Sequence, residues 1–93
     1  MLSDYHGIHV APLQATHEKL AWRAPTARAT RVRVRLHTCE CKATLYELCQ
    51  GGGLMFVRWT VRRADGPVVR ETEWLRAALM ERLWQRILLG EAR

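Results

Sequence analysis

The sequence predicts a small α+β domain: an antiparallel β-meander of about four strands, packed on one face by an amphipathic C-terminal helix and preceded by a short N-terminal helix. Three observations carry this. Residues 31–37, RVRVRLH, alternate strictly between basic and apolar side chains, which is the period of a half-buried strand. Two later apolar stretches are separated by Gly51-Gly52-Gly53, and the second is followed by Asp65-Gly66-Pro67, turn chemistry at hairpin spacing. Beyond residue 72 the period becomes helical: Leu75, Leu79, Leu83 and Ile87 form one stripe, broadened by Met80 and Trp84.

Taken in order, residues 1–10 show no periodicity and read as a loose segment of a single 93-residue domain. A helix is expected over residues 12–22, because Pro12 suits a first helical turn and Leu13, His17, Leu20, Ala21 and Ala24 recur at helical spacing. Pro25 ends it by disfavouring α geometry at Ala24. After a connector, Val32, Val34 and Leu36 fall on one face of the first strand and Arg31, Arg33 and Arg35 on the other. A turn near residues 39–42 leads to a second strand at 44–49. The third, residues 54–63, sets Met55, Val57, Trp59 and Val61 against Phe56, Arg58, Thr60 and Arg62. A short fourth strand begins after Pro67, a residue suited to a strand start or a sheet edge. Thr72 then caps the helix, Glu73 complements its positive end, and Gly90 stops it.

Four Trp and 48% hydrophobic residues suffice for a core without disulfides. Three Cys leave at least one unpaired in a monomer, no stretch approaches the ~20 apolar residues of a membrane span, and MLSDYHGIHV has neither the basic nor the apolar region of a signal peptide. A cytoplasmic protein with no membrane role is therefore expected.

The formal charge is +6, and residues 23–70 alone hold +7. With the helix stripe on the apolar sheet face, the opposite face carries Arg31, Arg33, Arg35, Arg58 and Arg62 around Phe56. Such a surface suits nucleic acid or another polyanion, because Arg contacts phosphates and stacks on bases while an aromatic can stack an unpaired base. Two plainer accounts stand beside it. The 13 Arg against 2 Lys can reflect coding bias and an ordinary solvated face, or the N-terminal helix can cover the face while Glu18 or Glu47 pairs some of the Arg. The stretch GGGLMFVRW resembles the Gly–aromatic strand of the RNA-recognition motif at Gly53, Phe56, Val57 and Trp59. It lacks the leading basic residue, Leu54 replaces an aromatic, and residues 38–43 leave no room for that family's helix between its first two strands, so the family is rejected. The element order also resembles a double-stranded-RNA-binding domain, without its basic helix-start motif.

His37, Cys39 and Cys41 form the most site-like cluster, with zinc the ion their chemistry suits. Their spacing is not that of the usual structural zinc pairs. Cys49 would be a poor fourth ligand, since eight residues of strand separate donors by ~26 Å. His6, His9 or His17 are the remaining candidates. A redox Cys39–Cys41 pair lacks the helix N-terminus that lowers a thiol pKa, and buried or turn thiols are the plain alternative. The glycine run is no phosphate loop, because no G-K-[ST] follows. Ser3 is the only serine, and Glu71 and Glu73 read as helix-start acids, so no enzyme is expected. Trp74 falls outside the helix stripe and is expected to be exposed. With an open sheet edge, it supports a second class of function, a protein-binding module or homodimer.

Overall fold

Alternation and glycine turns become a four-stranded antiparallel sheet in the order β1-β2-β3-β4: β1 Arg33–His37, β2 Thr44–Gly51, β3 Leu54–Val61 and β4 Val68–Glu71. The computed structural model describes residues 7–29 and 31–93. Gly51 pairs with Leu54 across the β2–β3 turn, and Gly52 and Gly53 both have positive φ, 57° and 82°. A two-residue hairpin of this twist requires positive φ at both central positions. One helix, α1 Ala77–Leu88, crosses the sheet over β3. Its Met80, Trp84 and Ile87 are buried against Tyr46, Leu48, Met55 and Val57. Cross-strand partners share a face, so the pairs Tyr46–Trp59, Leu48–Val57 and Gln50–Met55 define the helix side, and Glu47–Arg58 and Cys49–Phe56 define the other.

The helix starts later than expected and presents a rotated face. The chain stays extended through Leu75, whose backbone exchanges two hydrogen bonds with Met55 at 2.7 and 2.8 Å. Thr72 is not a cap: its hydroxyl accepts the Val57 N–H at 3.0 Å, and it is buried. Sheet hydrogen bonds to β3 thus hold residues 72–75 out of the helix. Leu79, placed on the core stripe by its spacing, is 41% exposed, while Met80 is fully buried. Trp74, expected to be exposed, is buried and lies on Phe56 with ring centroids 4.3 Å apart.

No helix forms over residues 12–22. Residues 7–29 run as a belt without helix, turning at 15–16, and residues 11–20 of it lie along the C-terminal tail. Ala11 N–H donates to Leu88 O at 2.7 Å, Gln14 to Gly90 at 2.9 Å and Glu18 to Glu91 at 2.9 Å; Arg93 N–H returns a bond to Glu18 O at 3.0 Å. Local preference here is small, because no side chain caps Pro12 and the apolar positions are few, so these long-range pairings win. Trp22 packs on Tyr46 and Trp59. Arg23 then pairs antiparallel with Glu71 at the β4 edge, and the belt passes to the other sheet face. There Thr26 donates its N–H and hydroxyl to Glu71 Oε1 at 3.2 and 3.1 Å. The segment expected to be loose lies partly outside the described residues. Its described end is ordered by the parallel pairing of Ile8 with Thr38. Among the described residues, no helix is long and apolar enough to cross a membrane.

Candidate metal centre and basic edge

The belt brings His9 to the β1–β2 loop. The Cys39 N–H donates to Ile8 O at 2.7 Å, which fixes the segment's register beside the loop. His9, Cys39 and Cys41 each offer one ligand atom, all within 4.8 Å of one another, and His9 Nε2 lies 3.3 Å from Cys41 Sγ. Cys39 is buried, whereas Cys41 and His9 are exposed. The hydrogen bond shared with Cys39 is the main cause that pushes the Cys41 thiol above its ordinary value, with desolvation adding to it. The two cysteines therefore stand as neighbouring thiols that must give up protons to bind a cation. A cleft of about 290 Å³ opens beside them, lined by Ile8, His9, Cys39, Tyr46 and Arg93 among others.

This ligand group corrects one member of the expected set. His37 is exposed, its Nδ1 donates to Thr38 O at 2.8 Å, and it lies opposite Glu47. Cys39 and Cys41 stay together, but the imidazole beside them is that of His9. His17 is elsewhere, with Nδ1 donating to Gln14 O at 2.9 Å, and His6 lies outside the described residues. Cys49 is fully buried against Phe56 and Trp74, and desolvation pushes its thiol up to about 11.

The expected arginine face is not one surface. A register shift between Val34 and Leu36 marks a bulge in β1. Val34 lies opposite Cys49, and so faces the Phe56 side; Leu36 lies opposite Leu48, and so faces the helix side. One extra residue reverses the alternation. Arg33 lies opposite Gln50, and Arg35 Nη1 donates to Gln50 Oε1 at 3.2 Å; both are on the helix side. Arg58 is on the other side, donating from Nε to Glu47 Oε1 at 2.9 Å, the pairing that the covered-face account allowed for Glu47. Arg62 donates to the Glu40 and Lys42 carbonyls. Phe56 is 1% exposed, sealed by Trp74, whose Nε1 donates to the buried Glu71 carboxylate at 2.9 Å. It presents no ring face on which a base can stack.

What remains open is the β1 edge. All five β1 residues are exposed, because a helix ~10 Å wide over β3 cannot also cover a strand two spacings of ~4.8 Å away. No acidic residue occurs between Lys19 and Cys39. Arg28 stacks over Trp74 at 5.2 Å from the ring centroid. Among the described residues no carboxylate lies in ion-pair range of Arg28, Arg31, Arg33 or Arg35. Glu18, by contrast, pairs with Arg86 at 2.7 Å.

Compared with protein-family models, curated proteins and solved structures, the chain has no significant match. The sequence offers His9 only as one of three candidates, with His6 and His17, for a further ligand beside the two thiols, and no local signal singles it out. A hint lay in the acid-free run around β1, which was read as a face and is an edge.

Proposed function

We propose that the protein is a small basic binding module, without catalytic function, that engages a polyanion, nucleic acid foremost, along the β1 edge. The observation that carries this reading is that Arg28, Arg31, Arg33 and Arg35, in and just before β1, are exposed, lie in an acid-free stretch and have no carboxylate in ion-pair range among the described residues. Exposed guanidinium groups on an extended strand suit a phosphate backbone. With Phe56 buried, contact is through phosphates, and sequence preference is low. The setting is a reducing cytoplasm in which the three cysteines stay thiols, as in the structure. Zinc at the His9, Cys39 and Cys41 group is part of the proposal.

A second reading rests on a separate observation: Val32, Val34 and Leu36 are 40%, 41% and 47% exposed. An edge strand with apolar side chains on both faces also suits a protein strand, from a partner or a second copy. Fluorescence anisotropy with a single-stranded oligonucleotide separates the two. Binding at low salt, a steep fall as salt is added, and loss in the Arg33→Glu, Arg35→Glu double variant are expected. Absence of binding at low salt refutes the polyanion reading. A concentration-dependent dimer abolished by Val34→Asp would put the protein-binding reading in its place.

A further inference from the structure

His9 and the two thiols come from segments thirty residues apart in sequence, yet the backbone itself sets them together. The parallel pairing of Ile8 with Thr38 and the Cys39 N–H bond to Ile8 O place the residues on either side of those contacts within reach of one another. We infer that His9, Cys39 and Cys41 bind one divalent cation of the zinc class, which clips the N-terminal belt to the β1–β2 loop. The inference takes up the zinc part of the proposed function and is independent of polyanion binding.

Geometry, chemistry and charge agree on the ion. A tetrahedral ion with bonds of ~2.3 Å to sulfur and ~2.0–2.1 Å to nitrogen separates its donors by about 3.5–3.8 Å. The three donors already lie within 4.8 Å, and His9 Nε2 is 3.3 Å from Cys41 Sγ, so side-chain rotations within reach of an exposed loop complete the site. Two sulfurs and an imidazole select a borderline-soft cation over magnesium or calcium, which take oxygen ligands. Binding replaces the two thiol protons: the cation joins two thiolates and a neutral imidazole, two protons leave, and the complex is electrically neutral. No buried charge is left uncompensated. Cys39 anchors the site from within, while Cys41 and His9 are exposed, so among the described residues the fourth position is left to water. An ion held by three side chains, two of them exposed, exchanges with the medium. The clip is accordingly conditional: depleting the metal leaves the belt's first contact with the sheet to the Ile8–Thr38 pairing and the Cys39 N–H bond alone.

The test uses the full reduced chain and cobalt(II) alone, followed by zinc competition. Tetrahedral cobalt bands with thiolate-to-cobalt charge transfer should saturate at about one equivalent, and zinc should displace them. His9→Ala should weaken cobalt binding by at least the ~10–100-fold that follows loss of an outer-shell partner, while His37→Ala leaves it unchanged. Zinc should raise the melting temperature of the wild type and not that of His9→Ala. Cys41→Ser, at an exposed position, should keep the far-ultraviolet circular dichroism of the fold and lose part of the charge-transfer intensity. The inference is overturned by reduced protein that takes up no cobalt, by an octahedral spectrum, or by equal losses in His9→Ala and His37→Ala. Metal uptake by a wild type that binds no oligonucleotide at low salt refutes the basic-edge reading alone, and oligonucleotide binding by a wild type that takes up no metal refutes this one alone.

Discussion

Replacing Gly90 by alanine probes the contact between the belt and the C-terminal tail. Gly90 has φ 77°, a conformation that costs an ordinary residue about 1–2 kcal/mol. A Cβ there would also meet Pro12 O at 2.2 Å and Pro12 C at 3.0 Å. These are backbone atoms, so relief requires the belt itself to move. Such a shift breaks the neighbouring bonds from Ala11 to Leu88 and from Gln14 to Gly90, each contributing about 1 kcal/mol. The expected loss is about 3–4 kcal/mol, a large part of the ~5–14 kcal/mol usual for a domain of this length. Gly53 supplies the control: its φ is 82° and a Cβ there meets nothing within 4 Å, so Gly53→Ala should cost about 1–2 kcal/mol. Urea titration followed by Trp fluorescence measures both. With a slope of ~1–3 kcal/mol/M for a small protein, the difference of about 2 kcal/mol should put the Gly90→Ala midpoint about 0.7–2 M below that of Gly53→Ala. Equal losses in the two variants would refute the packing of Pro12 against the tail.

Two other expectations follow from burial. Met80→Ala should cost about 2–5 kcal/mol in the same titration and Leu79→Ala under ~1 kcal/mol, because Met80 is fully buried and Leu79 41% exposed; the opposite order would restore the helix face read from spacing. Cys49 makes stability depend on alkaline pH. Burial raises its folded-state thiol to about 11, above the ~8.5 of an unfolded chain, so its neutral form stabilises the fold below that unfolded value and the contribution is lost as pH rises towards 11. The stability of the wild type relative to Cys49→Ala should therefore fall by about 2–3 kcal/mol between pH 8.5 and 11, and a difference independent of pH would refute the assignment.

The meander was legible because its signals are local. Apolar residues at every second position, Met55, Val57, Trp59 and Val61, and a glycine pair at a two-residue turn mark β3 and its hairpin without reference to anything distant. The C-terminal helix was legible as an element but not in its start or its facing: Thr72 has the chemistry of a cap, and only the presence of β3 beside it turns its hydroxyl to the Val57 N–H. In β1 the composition is a strand's, yet the bulge between Val34 and Leu36 is a tertiary adjustment that no pattern of residue types announces, and it divides the arginine face. The N-terminal segment fails for the opposite reason. Its helical spacing is real but slight, and bonds to residues more than seventy positions away decide its shape. The metal group inherits that failure, since Cys39 and Cys41 are visible as neighbours while His9 joins them only through the belt.

The belt also sets an order of events in folding. Its bonds join Ala11 to Leu88, Gln14 to Gly90 and Glu18 to Glu91, and contacts so distant in sequence carry a loop-closure cost that nearby hairpins do not. Their acceptors are Leu88, at the end of α1, and Gly90 and Glu91 just after it, so the belt is placed only where α1 has set that end of the chain. The meander and helix are therefore expected to assemble first and the belt to close over them last. By the same logic it is the part that opens first, and backbone amides of residues 11–20 should exchange with solvent before those of β2 and β3. On that order the candidate ligand His9 sits at the edge of the segment expected to open first.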